Sequence, residues 1–103
     1  MILIKTGETY PFSINMFNTD DTPMDLTNGL AKFVMYNETA ILVTDTCTIN
    51  GNTVNYLLKS SDALIPGNNY FEIRLWIGTS FSKEIATGGI IIYKTELTTK
   101  PVV

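Results

Sequence analysis

Apolar residues recur at every second position along most of this chain. That spacing suits extended backbone, whose side chains point alternately to opposite faces, and not a helix, whose apolar stripe repeats every three to four residues. The longest case is Phe71, Ile73, Leu75 and Ile77, set against Tyr70, Glu72, Arg74 and Trp76. Tyr10, Phe12, Ile14 and Met16 repeat it, as do Ala31, Phe33 and Met35 against Lys32, Val34 and Tyr36, and then Val54, Tyr56 and Leu58. Ile90-Ile91-Ile92-Tyr93 is apolar on both faces, which predicts a strand that is not open to water throughout.

Turn chemistry divides these runs. Residues 18–28 are polar, carry Pro23 and three Asp, and read as a loop. Asn37-Glu38-Thr39, Ile65-Pro66-Gly67-Asn68 and Gly78-Thr79-Ser80 read as turns, and Ser60–Leu64 as room for one helical turn. Asn50-Gly51-Asn52 between alternating runs predicts a hairpin closed by a type I′ turn. Gly88-Gly89 is expected to interrupt the strand that starts near Phe81, marking a bulge or a close backbone approach.

About seven short strands separated by turns predict an all-β fold, an immunoglobulin-like β-sandwich of about seven to nine antiparallel strands. The sandwich is expected over residues 1–97, with 98–103 an extended C-terminal tail or the start of a linker. Fifteen Thr and nine Asn agree with this, since Thr suits the wet face of a strand and Asn suits turns. The two layers should bring Phe33, Tyr56 and Ile73 into one cluster.

The residues offer little for catalysis. Histidine is absent, which removes the commonest general base and metal ligand. Asp20, Asp21, Asp25, Asp45, Glu72 and Glu84 are the available carboxylates, and nothing in their spacing directs two of them into one cleft. The expectation is a protein that is not an enzyme and has no cofactor and no metal. The acidic stretch Asn18–Asp25 could supply oxygen ligands to Ca²⁺, but it lacks the turn glycine and terminal Glu of an EF-hand loop, so a solvated loop is expected. Cys47 is the single cysteine and reads as a small core residue. Asn37-Glu38-Thr39 fits a glycosylation acceptor, and since Met1–Lys5 does not read as an export signal the match is expected to be a coincidence.

Seven scattered Lys and Arg against ten acids, for a net charge of −3, make no basic stripe, so no nucleic-acid partner is expected. No apolar run has the ~20 residues of a membrane span, so no membrane partner is expected either. Synthesis and folding in a cytoplasm follow as an expectation. The remaining feature is Trp76. If Phe71, Ile73 and Leu75 fill the core, then Trp76, Arg74 and Tyr70 share the opposite face, and aromatic residues with Arg are enriched at protein interfaces. These three are the candidate partner-binding residues, against the alternative that the chain itself covers them.

The order of motifs from Leu26 to Leu97 resembles a known family. Leu26-Thr27-Asn28-Gly29 leads into Ala31-Lys32-Phe33-Val34-Met35, followed by a short hairpin, Val54-Asn55-Tyr56 and Ser61-Asp62. Then come Pro66-Gly67, the strand through Phe71-Glu72-Ile73, and Gly88-Gly89 before Ile90-Ile91-Ile92. This resembles the N-terminal immunoglobulin-like domain of the phage baseplate upper protein family. The resemblance implies a virion structural protein of the tail, baseplate or neck, with other tail and baseplate proteins as partners and no catalytic residues. Family members usually continue into a stalk and a further domain. A second copy of the chain is a further candidate partner. Two other readings are a carbohydrate-binding or host-surface adhesion module, using Tyr10, Tyr36, Tyr70, Trp76 and Tyr93, and an extracellular sandwich domain of a larger bacterial protein.

Overall fold

The computed structural model describes residues 1–63 and 65–94. The expected tail over 98–103 lies outside them. Eight strands form: β1 (Ile2–Lys5), β2 (Tyr10–Asn15), β3 (Gly29–Tyr36), β4 (Ile41–Thr46), β5 (Thr48–Asn50), β6 (Thr53–Leu58), β7 (Gly67–Ile77) and β8 (Phe81–Tyr93). They build a five-stranded sheet in the order β1-β8-β7-β3-β4 and a three-stranded sheet in the order β2-β6-β5. The chain crosses between sheets at β1–β2, β2–β3, β4–β5 and β6–β7, which is the Greek-key traffic of an immunoglobulin-like sandwich. All neighbouring strands are antiparallel except β1, which runs parallel to β8 with Leu3 opposite Ile91.

Side-chain alternation supplies the core. Ala31, Phe33 and Met35 of β3 and Phe71, Ile73 and Leu75 of β7 point inward from the larger sheet, and Phe12, Val54, Tyr56 and Leu58 point inward from the smaller one. Phe33 stacks on Tyr56 with ring centroids 4.2 Å apart and lies opposite Ile73 in the β3–β7 register, so the expected cluster is present. Phe12 completes it, 5.3 Å from Phe33 and 4.9 Å from Phe71. Cys47 is buried where the chain passes from β4 to β5, and its N–H donates to the Ala31 carbonyl at 2.8 Å. One residue thus switches sheets without leaving its backbone donor unpaired.

Two local expectations change. Gly88-Gly89 does not interrupt β8, which is continuous from Phe81 to Tyr93. The register shift falls instead at Ile85, because Ile73 pairs with Ala86 while Arg74 pairs with Glu84. Gly88 marks the close approach: a Cβ there would stand 3.1 Å from Cε1 of Phe71. The β5–β6 hairpin pairs Asn50 with Thr53, so its central residues are Gly51 and Asn52, and only Gly51 has positive φ, at 62°. That is the type II′ requirement, a glycine at the first central position, and not type I′. Residues 60–62 make a single turn closed by the Asp62 N–H to the Lys59 carbonyl at 3.0 Å.

Candidate functional site

The two sheets differ on their outer faces. The outer face of the small sheet carries Pro11, Ser13 and Asn15 of β2 with Asn55 and Leu57 of β6, and is mostly polar. Hydrogen bonds between small side chains lace it, as from the Thr53 hydroxyl to Asn15 Oδ1 at 2.8 Å. Water can cover such a surface at little cost.

The outer face of the five-stranded sheet is richer in apolar groups. Tyr70, Glu72, Arg74 and Trp76 of β7 stand beside Tyr36, Val34, Lys32 and Leu30 of β3, in that pairing order. Leu3 and Ile91 continue the face across β1 and β8, and Ile41 ends it on β4. Of the exposed large apolar side chains, Met1, Leu3, Leu30, Ile41, Tyr70 and Tyr93 fall on this face by strand parity, and Met1 reaches over Gly89. Exposed apolar groups gathered on one side of a small sandwich, here around Glu72, Arg74 and Lys32, mark a contact site more often than singly scattered ones do.

Its charges lie flat along the sheet. Arg74 Nε approaches Glu72 Oε1 at 3.3 Å and Nη1 donates to the Ser82 hydroxyl at 3.0 Å, while Lys32 Nζ donates to the Thr46 hydroxyl at 2.6 Å. Tyr36 and Tyr70 pack ring on ring, with centroids 5.8 Å apart and tilted by 35°. Shallow depressions separate these features. One of about 440 Å³ is lined by Asn28, Leu30, Lys32, Trp76 and Gly78, and another of about 290 Å³ by Asn37, Glu38, Thr39, Asn68 and Tyr70.

Parity therefore places Trp76, Arg74 and Tyr70 on the face where the sequence put them. Tyr70 is 42% exposed, and Arg74 and Trp76 are partly covered by their cross-strand neighbours. What the sequence reading missed is the company: Leu30, Val34 and Tyr36 through β3, and Leu3 and Met1 through the parallel strand β1. The alternation of Lys32, Val34 and Tyr36 held the signal for the first group. Nothing in the residues alone announced β1.

A larger recess, about 650 Å³, lies between residues 23–27 and 49–52, and none of the three candidates lines it. The acidic loop beside it spends its carboxylates on its own turns. Asp20 accepts from the Thr22 hydroxyl and N–H, and Asp25 from the Thr27 hydroxyl and N–H, which holds both carboxyls below their ordinary pKa. Among the described residues no three His, Cys, Asp or Glu side chains gather as a metal-binding group would require. No helix among them is long and apolar enough to cross a membrane.

With this geometry in hand, the chain can be set against known proteins. No protein-family model matches it, and no curated protein matches it as a relative. Solved structures do share its fold. A chain from Bacteroides vulgatus assigned as a glycoside hydrolase superposes with a TM-score of 0.63 at 8% identity, over 94% of this chain. This chain spans only 17% of that one. The N-terminal domain of ORF48 of phage TP901-1 superposes with a TM-score of 0.59 at 10% identity, covering 91% of this chain and 85% of that domain. A V domain of amphioxus IgVJ-C2 reaches a TM-score of 0.40 at 12% identity, too low to add to an assignment that the strand order already makes. At these identities the likeness is one of fold.

Proposed function

We propose that this protein is a non-catalytic structural module of a phage virion, in the tail, baseplate or neck, and that the outer face of its five-stranded sheet is its docking surface there, for other tail or baseplate proteins or for a further copy of the chain. The observation that carries this is the asymmetry of the two outer faces. Apolar and aromatic side chains gather on the larger sheet, while the smaller presents hydroxyls and amides. Tyr and Trp flanked by Arg, framed by a polar rim, match the composition of protein contact surfaces. The resemblance of its motif order to that of the baseplate upper protein family supports the virion setting, and so does a fold shared with a phage protein domain over most of both chains. On this reading the chain is made in the bacterial host cytoplasm and ends in the particle, without nucleic-acid or membrane contacts.

The test is incorporation into particles. In a host carrying the encoding phage or prophage, tagged protein is expected to co-sediment with virions, and Trp76→Ala and Tyr70→Ala are expected to deplete it from them. Circular dichroism and melting of the purified variants control for folding. Variants that stay folded and incorporate as well as the parent would refute docking through this face, and a tagged parent that never sediments with particles would refute the virion role.

One observation favours a second reading. Tyr36, Tyr70, Trp76 and Tyr93 share this face, with Asn37, Glu38 and Asn68 beside Tyr70, a set that suits a sugar ring. Tyr10 lies on the other sheet and packs against Phe12 at 5.0 Å. Binding to host cell walls or to a glycan array, lost in Tyr70→Ala, would favour this adhesion role over the first.

A further inference from the structure

We infer that the occupant of the outer five-stranded face is a second copy of this chain, packed face to face about a two-fold axis that crosses β3 and β7 at the level of Phe33 and Ile73. The inference rests on the reading of this face as an interface and names its partner. It comes from the register. β3 and β7 present four outward rows: Tyr36 with Tyr70, Val34 with Glu72, Lys32 with Arg74, and Leu30 with Trp76. The row between the second and third, Phe33 with Ile73, points inward and marks the centre of the pattern.

A two-fold axis along that central row lays β7 over its own copy in the opposite direction. Position 72 then faces position 74 of the second copy, and position 70 faces position 76. Each Arg74 meets a Glu72, each Lys32 meets the row that holds Val34 and Glu72, and the Trp76–Leu30 end covers the Tyr70–Tyr36 end. Isologous contacts demand this kind of self-complementarity, in which one residue touches a second and the second touches the first. The usual angle of about 30° between packed sheets pivots about the centre and leaves the charged rows overlapping.

Electrostatics and area both allow it. Glu72 and Arg74 pair within one copy at 3.3 Å, yet their side chains remain 31% and 39% exposed, so each can take a second opposite charge. Two copies make a square of alternating signs from Glu72 and Arg74, so neither of these two charges is buried unpaired. Five strands about 4.8 Å apart and about eight residues long at about 3.3 Å each frame roughly 600 Å² per copy. Doubled, and with the relief of side chains added, this falls in the range of about 1,200–2,000 Å² that stable interfaces bury.

The experiment is a charge-swap mixture, read by sedimentation velocity and light scattering on the full chain from micromolar to millimolar concentration. The parent is expected to dimerise. Glu72→Arg alone makes both of these β7 positions basic and Arg74→Glu alone makes both acidic. Each should weaken self-association about a hundredfold, about tenfold for each of two symmetry-related pairs. Mixed in equal amounts, the two variants should recover a heterodimer, because a basic pair on one β7 then meets an acidic pair on the other. Melting curves confirm that both stay folded, and the recovery itself cannot come from unfolded chains.

A parent that stays monomeric at millimolar concentration overturns the inference, as does a mixture that stays monomeric, or a dimer indifferent to both reversals. If the parent is monomeric while Trp76→Ala and Tyr70→Ala still drop out of virions, self-pairing fails and docking of other virion proteins stands. If the swap mixture dimerises and those variants incorporate normally, self-pairing stands and docking of other virion proteins through this face fails.

Discussion

Gly88 offers a sharp test of how tightly the Phe71 ring beside it is held against the opposite sheet. An ideal Cβ on Gly88 would meet Cε1 of Phe71 at 3.1 Å and Cζ at 3.6 Å. Carbon atoms prefer about 3.5–4.0 Å, so Gly88→Ala needs the ring to move by about half an ångström. The ring has little room, since it is buried and lies 4.9 Å from Phe12 and 6.1 Å from Phe33, centroid to centroid. Overpacking of this kind costs about 1–3 kcal/mol, while replacing a strand glycine by alanine gains about 0.5–1 kcal/mol. A net loss of up to about 2.5 kcal/mol follows. With a urea slope of about 1 kcal/mol per molar, the unfolding midpoint should fall by up to about 2.5 M. Phe71→Leu removes the colliding ring atoms, so in that background Gly88→Ala should be neutral or stabilising. The cycle should show a coupling of about 1 kcal/mol or more. The reasoning is refuted if Gly88→Ala stabilises the parent, or costs the same in both backgrounds.

Two further outcomes are expected. Phe33→Ala, which empties a fully buried site stacked on Tyr56, should cost about 3–5 kcal/mol and lower the melting temperature by about 14–23 °C; a loss under about 1 kcal/mol would mean that the layers do not close on this ring. Burial, with Asp45 nearby, raises the Cys47 thiol from 9.0 to about 11, so the folded state keeps a proton that the unfolded state releases. Its contribution is intact below pH 9 and is lost as pH rises from 9 to 11; unfolding midpoints measured across that window should fall less steeply in Cys47→Ala than in the parent.

The candidate site was half legible in the residues. The alternation Tyr70–Ile77 needed only parity to place Trp76, Arg74 and Tyr70 together, because in a strand the side-chain period follows from the backbone itself. Their neighbours were not legible in the same way. That Leu30 stands beside Trp76 and Tyr36 beside Tyr70 depends on which strands pair and in what register, and both β3 and β4 alternate well enough to pair with β7. Which β3 residue stands beside each β7 residue is a property of that register alone.

Turns and glycines show the same division. Asn50-Gly51-Asn52 announced a hairpin, but whether Asn50 or Gly51 opens the turn was settled by the pairing of Asn50 with Thr53. Gly88-Gly89 read as a break, and only the ring of Phe71 from the next strand explains why the position stays small inside a continuous strand. Met1–Lys5 gave no local sign of β1, since a parallel edge strand has no hairpin turn to announce it and its partner lies almost ninety residues away at Ile90–Tyr93.

Local covalent geometry thus determined what the chain's own neighbours can decide: extended backbone, alternating faces, and where the chain turns. Tertiary structure decided what depends on residues distant in sequence, namely the five-and-three division of strands, the parallel β1–β8 pair, the bulge at Ile85 and the rows of the outer face. The physical reason is that alternation assigns each side chain to one of two sides, while pairing and register are chosen by packing the two inner faces against each other.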